Sequence, residues 1–233
     1  MKTAFTYTGY PEFMRELHSL ADPEFADFQR RLIPGEKVLG VRTPELRALA
    51  KRIVCGDWRR FLSEAHGDFL EEVMVQALVI GGAPMNYGEA LSRAEGFVPK
   101  IRSWAACDIC GSSFRFLKKD PERSLSFLES CLSSADEFTV RFGVTLLMAF
   151  FIRKEYLPRL FGDFDRARNS GYYAGMAIAW AVSVCFIRFP RETGQYLRHA
   201  RLDHWTYHKT LQKIMESRRI EPAVKEKIKL MKR

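Results

Sequence analysis

Apolar positions recur at helical spacing along almost the whole chain. In residues 43–54, "TPELRALAKRIV", Leu46, Leu49, Ala50 and Ile53 fall on one face. Thr43 reads as the cap of that helix and Pro44 as its first turn. Residues 68–81, "DFLEEVMVQALVIG", place Phe69, Val73, Gln76, Ala77 and Ile80 along one stripe, and the Gly81–Gly82 pair stops it. Pro121 opens "PERSLSFLESCL", and Asp136 stands where it can cap "EFTVRFGVTLLMAFFI". Residues 172–187, "YYAGMAIAWAVSVCFI", are apolar nearly all round and predict a buried helix. Residues 204–219, "HWTYHKTLQKIMESRR", are amphipathic and basic.

Strand-like alternation between turn signals is missing. Breakers such as Pro23, Pro34–Gly35, Gly56–Asp57, Gly67–Asp68, Pro99, Pro158, Gly171, Pro190 and Pro222 instead divide the chain into short helical pieces. The pattern predicts an all-α protein. The expected form is a HEAT-like helical repeat solenoid of about a dozen antiparallel-paired helices with a concave basic face. No strict sequence repeat is present, so that expectation rests on helix number and length. No low-complexity linker interrupts the chain, which reads as a single domain over residues 1–233.

Composition narrows the function. Against 28 acidic residues stand 37 basic ones, a net charge of +9, which favours a polyanionic partner, nucleic acid first among them. No apolar run approaches the roughly 20 residues that span a bilayer. "MKTAFTYTGYPEF" lacks the long apolar segment of a signal peptide. Five scattered cysteines do not suggest a disulfide framework and fit a reducing cytoplasm. The expectation is a cytoplasmic, bacterial-type monomer, associated with the nucleoid when acting, with no membrane partner.

Candidate chemistry concentrates in "IRSWAACDICGSSF", residues 101–114. Cys107 and Cys110 have CxxC spacing, but a structural zinc needs about four ligands. No second CxxC follows. His204 and His208 are four apart but lack the glutamate of an HExxH site. The cysteines therefore read as small buried apolar residues, with no metal and no cofactor expected. Trp104 and Asp108, also four apart, share a helix face. Two readings stand: a core Trp beside a capping Asp, or one wall of a cleft. Trp180 has small neighbours, Ala177, Ala179 and Ala181, which allow close helix packing and let the large ring reach outward; the alternative is a core Trp. Arg42 and Arg47 flank the Pro44 helix, and Arg141 sits in an otherwise apolar helix, where it needs an acidic partner or a phosphate. Lys209, Lys213, Arg218 and Arg219 complete a basic set that is either a solvated face or part of a nucleic-acid track.

At these residues the chain resembles the AlkD-like DNA alkylation repair glycosylases, a family of HEAT-like helical repeats. "LGVRTPELRALAKRI" is similar to the family's G-[VI]-x-x-P-x-L-R segment, and "SWAACDICGSSF" to S-W-x-x-x-D. "EFTVRFGVTLLM" resembles W-x-R-R with its apolar helix, "MAIAWAVSVCFIRFP" resembles K-A-I-x-W-x-L, and "KTLQKIMESRRI" resembles the closing basic helix. The segments keep family order from about residue 39 to 220. The departures are Ala105–Ala106, Val140 and Phe142 around Arg141, and Met176 where a Lys is common.

The resemblance implies a monofunctional glycosylase that excises purines alkylated at N3 or N7 from double-stranded DNA. Trp104 and Trp180 would contact the damaged nucleotide. Asp108 would stabilise an oxocarbenium-like sugar and position water. Arg42, Arg47, Arg141, Lys209, Lys213, Arg218 and Arg219 would meet DNA. Two other classes remain: a HEAT-like protein that binds DNA without cutting the glycosidic bond, and a helical scaffold that binds protein.

Overall fold

The computed structural model describes Tyr7, residues 9–167 and residues 171–231. Among the described residues there are fourteen α-helices and no strand, an all-α helical repeat as the sequence pattern requires. No helix of the described residues is long and apolar enough to cross a membrane. Two compact units divide the chain, Met1–Pro121 and Glu122–Arg233.

Helix starts follow local chemistry. The side chains of Asp22, Asp57, Asn86, Asp136 and Asp203 each accept the amide three residues on, satisfying a donor that a helix N-terminus leaves open. Pro121 begins its helix as expected. Thr43 does not cap. It is already helical, and Arg42 holds the cap position without a side-chain bond.

The first unit contains α1 (Tyr10–Ser19), α2 (Pro23–Leu32), α3 (Thr43–Val54), α4 (Trp58–Glu64), α5 (Leu70–Gly82), α6 (Tyr87–Phe97) and α7 (Trp104–Ser113). Its core is α5, packed between α3 and α7. α3 buries Leu46, Leu49, Ala50 and Ile53, the face read from sequence. α5 is not the one-sided stripe expected, because every residue from Leu70 to Ile80 is buried. Neighbours on both sides enclose it, so its acidic positions go inside as well. The Glu71 carboxylate accepts the amides of Leu39 (3.1 Å), Gly40 (2.7 Å) and Val41 (3.3 Å). Glu72 accepts the Asp68 amide at 2.8 Å and bonds the Tyr10 phenol.

The second unit repeats the plan with α8 (Pro121–Leu132), α9 (Glu137–Phe150), α10 (Leu157–Arg166), α11 (Tyr172–Arg188), α12 (Pro190–His199), α13 (His204–Glu216) and α14 (Pro222–Lys229). Here α11 lies between α9 and α13. It is buried along most of its surface, but Tyr172 and Trp180 stay 58% and 39% exposed, so the expectation of burial all round fails on that side. The closing basic helix is shorter than predicted. It ends at Glu216, leaving Arg218 and Arg219 in the connection to α14. Ser217 Oγ accepts the Arg219 amide at 3.2 Å, a local bond that competes with helix continuation.

Gly40 has φ +87, and a Cβ there would strike the Asp22 carbonyl and stand 2.6 Å from the Ala26 amide. Gly35 has φ +92 but open space around it. Gly40→Ala is expected to cost more than about 3 kcal/mol and Gly35→Ala about 1–2 kcal/mol in urea unfolding. Equal losses would show that Gly40 serves its φ alone.

Asp163 on α10 accepts from Arg166 at 2.8 Å. Burial, with Glu129 nearby, pushes its carboxyl up from 3.8 to about 6. The folded state holds that proton more tightly than the unfolded chain. Its contribution is complete below the unfolded value and is lost as pH rises through about 6. Relative to wild type, Asp163→Asn should gain roughly 2–3 kcal/mol between pH 4 and pH 8, read from paired melts.

Candidate functional site

Trp104 and Asp108 open onto one cavity of about 430 Å³ in the first unit. They stand one turn apart on α7, and both are half-buried. Asp108 is the fifth residue of a helix whose cap position is Ser103, so the capping reading does not hold. Trp104 lines open space, so neither does the reading as a core ring. Its indole N–H donates to the Leu32 carbonyl at 3.4 Å, which ties the ring to the end of α2.

The wall across from Asp108 is apolar and went unnoticed in the sequence. It comes from α2, whose Phe25, Phe28 and Leu32 face the cavity while only Ala26 of that helix is buried. Phe28 is 52% and Leu32 46% exposed, unusual values for large apolar side chains beside a carboxylate. A signal was present: Phe25, Phe28 and Leu32 keep helical spacing in "PEFADFQRRL". It looks the same as a stripe that faces a core. Met74 of α5 lies in the floor, and Thr43 and Arg47 of α3 close the third side.

The second unit holds Trp180 on α11, exposed between the buried Ala177, Ala179 and Ala181. The small neighbours keep the backbone packed and turn the ring outward. Two further exposed aromatics share these helices, Tyr172 on α11 and Trp205 on α13, with ring centroids 5.5 Å apart. Lys209 Nζ lies 5.6 Å from the Trp205 ring centroid. Exposed rings next to cations are the surface chemistry of nucleic-acid contact.

A sequence model of the DNA alkylation repair enzyme family matches residues 13–213. The chain belongs to that family. Comparison with curated proteins gives no match. A DNA alkylation repair enzyme has DNA as its partner, which accounts for the net charge of +9.

For such an enzyme the placement of the basic residues is uneven. Arg47 is exposed and donates to Ser112 Oγ at 2.7 Å, at the edge of the Asp108 cavity. Arg42 pairs with Asp22 at 2.8 Å and lies 4.5 Å from the Phe25 ring centroid. The Phe25 amide, and then Arg42, hold the Asp22 carboxyl below its usual value. Arg141 is only 5% exposed and donates to the Tyr173 carbonyl at 3.4 Å, at the start of α11. Lys209 bonds Gln212 at 2.7 Å, Lys213 is half-buried, and Arg218 and Arg219 are exposed.

Among the described residues no three His, Cys, Asp or Glu side chains gather as metal ligands. Cys107 and Cys110 of this repair enzyme are buried, as the CxxC reading required, and burial pushes the Cys110 thiol up. Cys131 and Cys185 are buried too, while Cys55 is exposed. A thiol reagent at pH 8 should therefore label Cys55 quickly and the other four only on unfolding. Fast labelling of Cys107 or Cys110 in the native protein would contradict this packing.

Proposed function

We propose that this DNA alkylation repair enzyme is a monofunctional glycosylase. It hydrolyses the N-glycosidic bond of purines that carry a positive charge from alkylation at N3 or N7, in duplex DNA. One observation carries the reading: a half-buried carboxylate, Asp108, shares an open cavity with the ring of Trp104 and needs no deep pocket to be reached.

The chemistry follows from the lesion. When the C1′–N bond breaks, its electron pair goes to the base and cancels the base's charge. Positive charge then appears on the sugar, and a fixed carboxylate is worth most at that moment. Water adds to C1′ and gives up a proton to Asp108 or to solvent. Trp104 offers the sugar a ring face, which attracts positive charge. The resemblance assigns Trp180 a similar part, supported by its exposure on α11. Arg42, Arg47, Lys209, Lys213, Arg218 and Arg219 supply contacts to the phosphate backbone in this reading. Arg141, being buried, contributes by holding the start of α11.

Asp108→Asn keeps the shape and removes the charge. Single-turnover release of base from N7-methylguanine duplex should slow by roughly 10²- to 10³-fold, about 3–4 kcal/mol, with an unchanged thermal melt. Wild-type excision by a folded Asp108→Asn protein ends the catalytic assignment. A wild-type chain that binds DNA and releases no base is instead a non-catalytic binder.

Neutralising Lys213, Arg218 and Arg219 together should weaken binding to all duplexes alike. The salt slope should flatten by up to about 0.9 per phosphate contact removed. An unaltered slope takes the end of α13 out of the DNA footprint.

A further inference from the structure

The Asp108 cavity is half of a longer groove. A second cavity, of about 340 Å³, shares Arg47 and Ser112 in its wall. Its floor continues along α5 from Met74 to Leu78, Gly81 and Gly82. One wall continues along α3 to Lys51 and Val54, the other along α7 to Ser113 and then to Arg115 in the turn beyond it. The three helices therefore run in the same direction beneath one groove. Gly81 fixes its width, because a Cβ there would stand 2.6 Å from the Ser113 carbonyl oxygen.

The two halves differ in chemistry. The first is mostly apolar around one carboxylate. Three cations, Arg47, Lys51 and Arg115, line the second, and no acidic side chain does. All three are exposed, so their heads can reach a ligand in the groove. Arg47 stands at the junction, held by Ser112, whose own hydroxyl donates to the Ile109 carbonyl at 2.8 Å. The C-terminal ends of α3, α5 and α7 meet this half, and each carries roughly half a negative charge. Three full positive charges outweigh that field, and a bound anion would see the excess.

We propose that this basic half of the groove holds a backbone phosphate of the damaged DNA strand, gripped by Lys51 and Arg115 with Arg47 between it and the lesion. The proposal rests on the glycosylase reading for its register. From Asp108 to Ser113, the last residue of α7, is about 7.5 Å along the helix axis at ~1.5 Å per residue, and Arg115 lies in the turn just beyond. A duplex strand places one phosphate per ~3.4 Å of rise, so the held phosphate lies about two to four nucleotides from the lesion. Gripping the strand there fixes its position along α7 without touching the damaged base, so the subsite sets register and carries no preference for sequence.

The test uses the full chain, as wild type and as Lys51→Ala/Arg115→Ala, on N7-methylguanine duplexes in which single phosphates are replaced in turn by neutral methylphosphonates. For wild type, one replacement about two to four nucleotides from the lesion should weaken binding roughly tenfold. The double variant should lose sensitivity at that position and keep it elsewhere. On undamaged duplex its salt slope should fall by about 0.9. That measurement needs no lesion recognition, so it separates failure of the subsite from failure of the glycosylase reading, which base release from the same duplexes reports. The proposal is overturned by an unchanged map and slope in the variant. It is equally overturned by a lowered melt with unchanged DNA binding, which would assign Lys51 and Arg115 to the helix ends.

Discussion

The first unit depends on a carboxylate buried where no solvent can reach it. A charge inside a protein costs several kcal/mol unless it is fully hydrogen-bonded. Glu71 meets that condition with three successive amides, those of Leu39, Gly40 and Val41. The bond set pins an otherwise irregular segment to α5. Gly40 in turn accepts the Asp22 amide through its carbonyl, at 3.3 Å, and lets α2 approach because it has no side chain. α2 then presents Phe28 and Leu32 to the cavity and the Leu32 carbonyl to Trp104. A core glutamate is thus connected, step by step, to the orientation of the ring beside Asp108.

The sequence was legible where one rule acted alone. The buried face of α3, the Asp136 cap and the start at Pro121 each need only local spacing or local chemistry. It was illegible where partners came from far along the chain. Glu71 lies outside the apolar stripe read in the sequence, and only amides about 30 residues earlier make its burial tolerable. Helical spacing in α2 is the same for a stripe that faces the core and one that faces a cavity. Trp104 and Asp108 could be placed on one face because a four-residue step fixes that. Phe28 and Leu32, across from them, could not. Arg141 was recognised as needing a partner, but nothing in its neighbourhood pointed to the Tyr173 carbonyl.

The same local logic explains the repeat. α5 and α11 are each enclosed by a helix on either side, and both tolerate almost no exposed position. Before its last residue, Arg188, the exposed side chains of α11 are Tyr172 and Trp180, both aromatic. The enclosed helices therefore set the spacing of their neighbours and leave few of their own positions open to solvent.

Because α2 commits only Ala26 to the core, the cavity wall it supplies is nearly free of the constraints that hold the rest of the unit. A substitution in α5 disturbs packing on every side, whereas one at Phe28 or Leu32 alters the cleft and little else. Drift in what the cleft admits can therefore proceed on this helix without eroding stability. Variation in the shape of this wall would accumulate on α2 first, ahead of any change in the helices beneath.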